Sequence, residues 1–316
     1  MLPPITAALI AALALSSQPT SPSAVQTPPN DTGAVRLEDV EVTGRRLVDM
    51  IDDFVGDVAA PVRGRGMARW NRTVCVGAVN FQPAMAHYLT DRISTVAQDL
   101  GLSAGGPGCS PNIMIIGTDD GKALANAMVA KNRRTFRPGP SGTDHGSEAL
   151  NTFRTSDAAI RWWQVSVPVD SHTGDIAIRL PGEDAPQINT FAASRLSTQI
   201  VDSLVRSIII VDMTKLDGLN SLQLSDYIAM ISLAQIDPKA DTSRYHSILN
   251  VAGDPVQADS LTDWDIAYLD GLYSAQRTQK GSAAALSEIK SSIKRSHTNL
   301  TQEQIAAEAN QATDHN

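Results

Sequence analysis

The spacing of apolar residues predicts helices and strands that alternate along the middle of the chain. Residues 73–79 and 112–117 are short apolar segments typical of buried strands. A helix is predicted after each of them, over residues 83–100 and 120–129, and Pro83 suits the first turn of a helix. Strands that alternate with helices in this way are typical of an α/β domain.

The second half of the chain continues the pattern. Two strands, 160–169 and 175–180, flank a polar turn, which predicts a hairpin. A helix is predicted over residues 191–204, and the very apolar segment 207–213 predicts a central strand. The helix predicted over residues 221–235 is apolar on most sides, as buried helices are. The predicted fold class is therefore α/β (or α+β), with helices flanking a sheet and a small, mostly helical C-terminal subdomain.

The segment before this domain predicts a strand and then a helix. Apolar residues alternate over residues 37–46, which favours an extended strand, and they recur with helical spacing over residues 46–58. The predicted strand includes Val40 to Arg45, which resembles the TonB box at the start of outer-membrane receptors. An ordinary edge strand is the alternative interpretation.

The C-terminal segment is predicted to be a polar helical tail over residues 276–316. Leu286, Ile289 and Ile293 give residues 283–297 an apolar stripe. Thr301 with Gln304 has the spacing of a capping box, which predicts the start of one further helix.

The N-terminus predicts export. Residues 5–15 form an apolar run that is too short to span a membrane, and Ala14-Leu15-Ser16 offers a small-residue cleavage site. Residues 1–16 are therefore predicted to be a signal peptide, and residues 17–34 a flexible leader rich in Ser, Pro, Thr and Gln. A buried first helix is the alternative, since no Lys or Arg precedes the apolar run. Export places the mature protein in the periplasm or outside the cell, and the Ala-rich, aromatic-poor composition is typical of a bacterial protein.

Charge and hydropathy exclude two classes of partner. The chain has 316 residues and a formal net charge of -8, and it contains no long basic run, so nucleic acid is not expected as a partner. After the signal peptide no stretch reaches the ~18 apolar residues of a transmembrane helix, so no transmembrane segment is expected in the mature protein.

Two cysteines, Cys75 and Cys109, are the only ones in the chain. In an exported protein an even number of cysteines usually pairs, so a disulfide is expected between them. If the protein is not exported, two buried thiols are the alternative.

Three segments in the last third of the chain resemble the metzincin family of zinc peptidases, in particular the matrixins. Residues 226–234, DYIAMISLA, lie where that family carries the zinc-binding helix H-E-x-x-H-x-x-G. Ser247-Ile248-Leu249-Asn250 resembles the methionine turn, and residues 261–273 resemble the terminal helix. The resemblance implies a mixed sheet with an antiparallel edge strand, which the 160–180 hairpin would supply.

The same alignment places residues unsuited to zinc chemistry at each functional position. Asp226 falls at the first metal ligand, Tyr227 at the general base and Met230 at the second ligand. Leu233 falls at the glycine, Ile236 at the third ligand and Leu249 at the methionine of the turn, and His246 lies just before that turn. Methionine is a poor zinc ligand and tyrosine is no carboxylate base, so we expect no catalytic residue, no bound metal and no cofactor at these vestigial positions.

These observations lead to three hypotheses about function. The first is an exported, catalytically inactive peptidase-like domain that serves as a binding or scaffolding module in the cell envelope, with an extended peptide or an envelope protein as partner. The second is an unrelated secreted α/β protein that binds a small ligand or peptide. The third is a hydrolase with an unrecognised site. His145 with Asp144 and Ser141 or Ser147 could suggest a Ser-His-Asp arrangement, but a plain loop rich in Ser, Gly, Asp and His is the favoured interpretation of this segment. The sequence does not define an oligomeric state.

Overall fold

A computed structural model of the chain describes residues 37–62, 65–71, 73–137, 145–177, 187–188, 197–279 and 282–314. By its contacts the chain divides into two units, residues 1–43 and 44–316. The described part of the first unit is only the beginning of one helix, and all the other described elements belong to the second unit. The predicted signal peptide and leader lie outside the described residues.

The described elements follow one another as helices and strands, and three single 3-10 turns lie between them. The helices are α1 (Leu37–Val58), α2 (Pro83–Asp99), α3 (Gly121–Lys131), α4 (Arg133–Phe136), α5 (Gly146–Thr155), α6 (Ser221–Leu233), α7 (Asp263–Ser274) and α8 (Ser282–Asp314). The strands are β1 (Arg69–Trp70), β2 (Val76–Val79), β3 (Ile113–Thr118), β4 (Ile160–Asp170) and β5 (Ile200–Asp212). The predicted α/β class is confirmed.

The five strands form one mixed sheet around β5. β3 pairs with the carboxyl-terminal half of β5 and β1 with its amino-terminal half, both in parallel, and β2 pairs in parallel with β3. β4 runs antiparallel along β5 from the Ile160–Val211 pair to the Asp170–Ile200 pair, with one irregularity in register at Val165/Ser166. After β4 the chain turns back, but of the predicted second strand only an isolated antiparallel bridge between Val169 and Ile176 is present, beside which the N–H of Ala177 donates to the carbonyl of Pro168 (2.9 Å). Residues 178–180 lie outside the described part.

Helices cover both faces of the sheet, so the core has two layers. The larger core packs α1, α2, α6 and α7 against one face, with Phe54, Leu89, Ile228 and Tyr268 among its buried residues. The smaller core lies under α3, α4 and α5 on the other face. Adjacent residues of a strand point to opposite faces of the sheet, as Trp162 and Trp163 do. Both are buried, one in each core, because the second face of the sheet is covered as well.

Four sequence predictions differ from the structure. The predicted strand over residues 37–46 is wrong, since these residues begin α1, where the spacing of Leu37, Val40 and Leu47 also fits a helix. The predicted helix over residues 191–204 is wrong for residues 200–204, which belong to β5, because pairing with β4 supplies their hydrogen bonds. Residues 189–196 lie outside the described part.

The other two differences concern α5 and the C-terminal segment. Helix α5 was not predicted, although Leu150 and Phe153 form its buried face. The capping box predicted at Thr301 does not start a new helix, since Thr301 lies inside the continuous α8 and donates its hydroxyl to the carbonyl of His297 (3.0 Å). Ile289 and Ile293 bring this helix into the larger core.

Candidate functional site

Asp226, the first of the positions that the metzincin resemblance singled out, is fully buried and forms an ion pair. One carboxylate oxygen accepts from Nε of Arg92 (2.6 Å), and the other accepts from Nη2 of Arg92 (3.0 Å) and from the N–H of Leu261 (2.9 Å). This hydrogen bond raises the pKa of the Arg92 guanidinium, against the opposing effect of its partial burial. Asp226 therefore joins α2, α6 and the segment before α7.

The other positions on and after α6 are filled by core side chains. Met230 and Leu233 are fully buried, and Ile236 is buried just after the helix. Tyr227 is also buried, with its ring 6.3 Å from that of Trp162, and burial raises the pKa of its hydroxyl. In the described part of the chain, no group of three His, Cys, Asp or Glu side chains is arranged to hold a metal ion.

The turn at residues 247–250 is held by a carboxylate that the sequence did not single out as its anchor. Asp265, fully buried in the first turn of α7, accepts from the hydroxyl of Ser247 (2.6 Å) and from the N–H of Ile248 (2.8 Å). It also accepts from the N–H and hydroxyl of Thr262, completing the cap of α7. Burial raises the pKa of Asp265, while these hydrogen bonds act to lower it.

Two further positions that the metzincin resemblance singled out, His246 and Leu249, lie in or beside this turn. His246 is exposed, and only its backbone carbonyl takes part in the turn, by accepting from the hydroxyl of Thr262 (2.6 Å). Leu249 is half-buried and packs against the larger core. The structure thus holds Tyr227, Met230 and Leu233 in the core with Asp226, and leaves the His246 side chain outside it.

Four side chains hold the carboxyl end of α6 against the sheet. The amide of Gln164 donates to the carbonyls of Ile231 and Ala234 (2.8 Å each). The remaining carbonyls are taken by Trp70, Tyr273 and Trp162, which donate to Ser232, Leu233 and Ile236 respectively. The terminal carbonyls of a helix need such partners when they are buried. These contacts fix β4 beside α6, and their donors come from distant parts of the chain.

A groove of about 820 Å³ lies along β4. Residues 158–164 and Tyr227 form its floor. One wall is the face of α5 that carries Glu148 and Thr152, and the other wall is formed by residues 59–61, 236–239 and 252–253. His145 lines this groove, with its ring 6.1 Å from that of Trp163. Ser147 is exposed on α5, and Ser141 and Asp144 lie outside the described residues.

The register of β4 shows which of its backbone groups face the groove. The N–H of Asp212 donates to the carbonyl of Ala159 (2.8 Å), so in this antiparallel ladder the next residues whose backbone bonds to β5 are Arg161 and Trp163. The N–H and C=O groups of Ile160, Trp162 and Gln164 therefore point away from β5. Within the described residues, no hydrogen bond reaches these groups.

Farther along β4 the outward groups are already used. The carbonyl of Ser166 accepts from Nη1 of Arg65 (3.3 Å). The carbonyl of Pro168 and the N–H of Asp170 pair with the returning chain at Ala177 and Asp175. The part of the edge that is unpaired among the described residues is thus a short window at residues 160–164, which are buried at the floor of the groove.

The predicted disulfide between Cys75 and Cys109 is present, with a Cα–Cα distance of 6.0 Å. It ties the start of β2 to the loop before β3. None of the described helices is long and apolar enough to cross a membrane.

The chain matches no known protein family, no curated protein and no solved structure.

Proposed function

We propose that the chain is an exported binding module that takes an extended peptide along the edge of β4, in a peptidase-like frame that does not carry zinc chemistry. The observation that carries this proposal is the open window of backbone groups at Ile160, Trp162 and Gln164, which faces a groove. An extended peptide can add a strand to such an edge, since its own N–H and C=O groups satisfy those of the sheet.

The walls of the groove define how such a peptide is held. Backbone pairing supplies affinity independent of sequence, and alternate side chains of an added strand point to opposite faces. Here one face meets α5, including Thr152 and Phe153, and the other meets Tyr227 and Pro238. The window at residues 160–164 accommodates about five residues of peptide, because the next outward backbone groups, at Ser166 and Pro168, already have hydrogen-bond partners.

The proposed lack of zinc chemistry is supported by what the vestigial positions contact. Asp226 uses both carboxylate oxygens on Arg92 and Leu261, and Met230 is surrounded by core residues. Metal analysis of the purified protein and a peptide-cleavage assay test this part of the proposal. Stoichiometric zinc together with cleavage would overturn it.

Binding is tested on an array of random heptapeptides with two pairs of variants. Glu148→Trp and Ala252→Trp each place a bulky ring on an exposed position of one groove wall. Their controls, Asn151→Trp and Val256→Trp, change exposed residues nearby that do not line the groove. We expect the wall variants to weaken the strongest array peptides by about tenfold or more, and the controls to leave binding unchanged.

Strand addition also requires free N–H groups at alternate residues of the bound peptide. N-methylation at every second residue removes the N–H groups that pair with β4, whereas methylation at the intervening residues leaves them in place. We expect one set of methylated peptides to lose binding and the other to keep it. Equal binding of both sets, or equal effects of wall and control variants, would show that the peptide does not pair with β4. Binding of a small molecule that is lost in the wall variants and kept in the controls would instead favour the alternative of a small-ligand protein. The groove volume falls in the usual range for such sites.

Export is supported by the Cys75–Cys109 disulfide, since disulfides persist mainly in oxidising compartments. N-terminal sequencing of the protein recovered from the periplasm of a bacterial host tests it. We expect the mature chain to begin after residue 16. Recovery of an intact N-terminus from the cytosol would contradict export.

A further inference from the structure

Three arginines and one aspartate gather beside β1, on segments far apart in sequence. Arg65 lies before β1, Arg69 lies in it, and Arg277 follows α7. Arg65 and Arg277 both contact Asp202 of β5, and Arg69 lies opposite the next residue of that strand, Ser203. Nothing local in the sequence indicates that Arg277 joins Arg65 and Arg69.

The single carboxylate is fully used by one of the three arginines. Nε and Nη2 of Arg65 both donate to Oδ1 of Asp202, the former at 2.6 Å. The N–H of Gly66 donates to Oδ2 (2.8 Å). Arg277 reaches only the backbone carbonyl of Asp202 and the side-chain oxygen of Asn71, the latter at 2.8 Å. Arg69 donates to the carbonyl of Leu272 and lies over the ring of Tyr273, 5.5 Å from its centre.

Counting only the residues that the structure describes, the three arginines and Asp202 leave two positive charges without an ion-pair partner. Among the described residues, no carboxylate lies within ion-pair distance of Arg69 or Arg277. Tyr273 does not offset the charge, because burial raises the pKa of its hydroxyl and keeps it neutral. Burial and then the charge of Arg277 lower the pKa of Arg69 to about 10, and burial also lowers the pKa of Arg277.

Their backbone contacts explain only part of this arrangement. Arg69 satisfies a carbonyl at the end of α7, a favourable place for a cation, and Arg277 fixes the chain after α7 to β5. Each guanidinium has five N–H groups, and these contacts use one of them on Arg69 and two on Arg277. The charge of Asp202, already paired with Arg65, acts on Arg277 only from beyond ion-pair distance. Partly buried cations without a direct ion-pair partner cost free energy, which a bound anion would offset.

We propose that Arg69 and Arg277 form a binding site for a phosphate-type dianion, either free phosphate or a phosphate monoester. Two guanidinium groups match the charge of a phosphate dianion, and their planar forks match its oxygen geometry. This site is independent of the groove along β4, so either proposal can fail without the other.

The test measures the rise in the free energy of unfolding as inorganic phosphate or glycerol phosphate replaces chloride at constant ionic strength and pH 7. Ligand that binds the folded state alone raises stability with its concentration. We expect a saturable rise for the wild type. In Arg69→Gln and Arg277→Gln the dissociation constant should increase by about tenfold or more. The control Arg244→Gln removes a surface arginine that pairs with Asp57, and it should leave the dissociation constant unchanged.

Two results would overturn the proposal. One is a rise of equal size in the wild type and both glutamine variants, which would mark a general salt effect on stability. The other is no rise in the wild type beyond that in chloride. If a glutamine variant does not fold, Arg69→Lys and Arg277→Lys keep the charge and lose the planar fork. Binding as tight in both lysine variants as in the wild type would also count against the site. A response to inorganic phosphate alone identifies the free ion as ligand, and a stronger response to the ester identifies a phosphorylated molecule.

Discussion

The ion pair between Arg92 and Asp226 makes an asymmetric prediction about stability. Asp226 has no exposed surface, whereas 31% of the Arg92 side chain is exposed. Arg92→Met leaves a buried carboxylate whose remaining partner is the N–H of Leu261. Asp226→Asn leaves a guanidinium that can turn toward water. The first change should therefore destabilise the fold more than the second.

The magnitudes follow from the burial of each partner. Removing one member of a buried pair costs about 3–5 kcal/mol, and we expect this range for Arg92→Met. For Asp226→Asn we expect about 2 kcal/mol, because Arg92 is rehydrated and the amide keeps one acceptor for Leu261. The surface pair Arg244–Asp57, with 61% and 36% of its side chains exposed, provides the control, and Arg244→Met should cost less than about 1 kcal/mol.

Urea unfolding at pH 7 of the wild type, both single variants and the double variant measures these quantities. The double-variant cycle isolates the coupling between the two side chains, which we expect to exceed about 1 kcal/mol. A coupling near zero, or a larger loss for Asp226→Asn than for Arg92→Met, would refute the view that this carboxylate is a structural partner of α2.

Two further predictions concern the disulfide and a buried carboxylate. Replacing Cys75 and Cys109 by serine should lower the free energy of unfolding by about 3–4 kcal/mol, because the bond closes a loop with a sequence separation of 34; a loss below about 1 kcal/mol in urea unfolding would contradict this. Burial raises the pKa of Asp265, so the folded state binds its proton more tightly than the unfolded state does. Stability relative to Asp265→Asn should therefore fall as the pH rises above about 4, and parallel pH profiles of the two proteins would count against it.

Local patterns were sufficient for much of the fold. Helix α2 was predicted because apolar residues with helical spacing follow Pro83, and α3 because Asp119 or Asp120 can cap a helix. In the structure the cap of α3 is Asp120, which accepts from the N–H of Ala123. Helix α6 was predicted from its apolar run and its stop near Asp237. Predictions were wrong where two periods overlap. Val201 and Leu204 fit a helix by spacing alone, and only pairing with β4 places them in a strand.

The vestigial positions were identified from a resemblance that remains a prediction, whereas their surroundings were not accessible to sequence reasoning. The residue types alone indicated that Asp226, Tyr227 and Met230 are unsuited to zinc chemistry. It did not show that Arg92 lies 2.6 Å from Asp226, since 134 positions separate them in the chain. Gln164 at the end of α6 and Asp265 beneath the 247–250 turn were missed for the same reason.

The sequence by itself determined the alternation of strands and helices and the cysteine pairing, because these depend on residue type and on neighbours a few positions away. Only the tertiary structure decided where charge and open backbone lie. The groove along β4 and the cluster of Arg69 with Arg277 each join segments more than 90 residues apart. Such placement depends on how the helices cover the sheet, and the local spacing of apolar residues does not encode that.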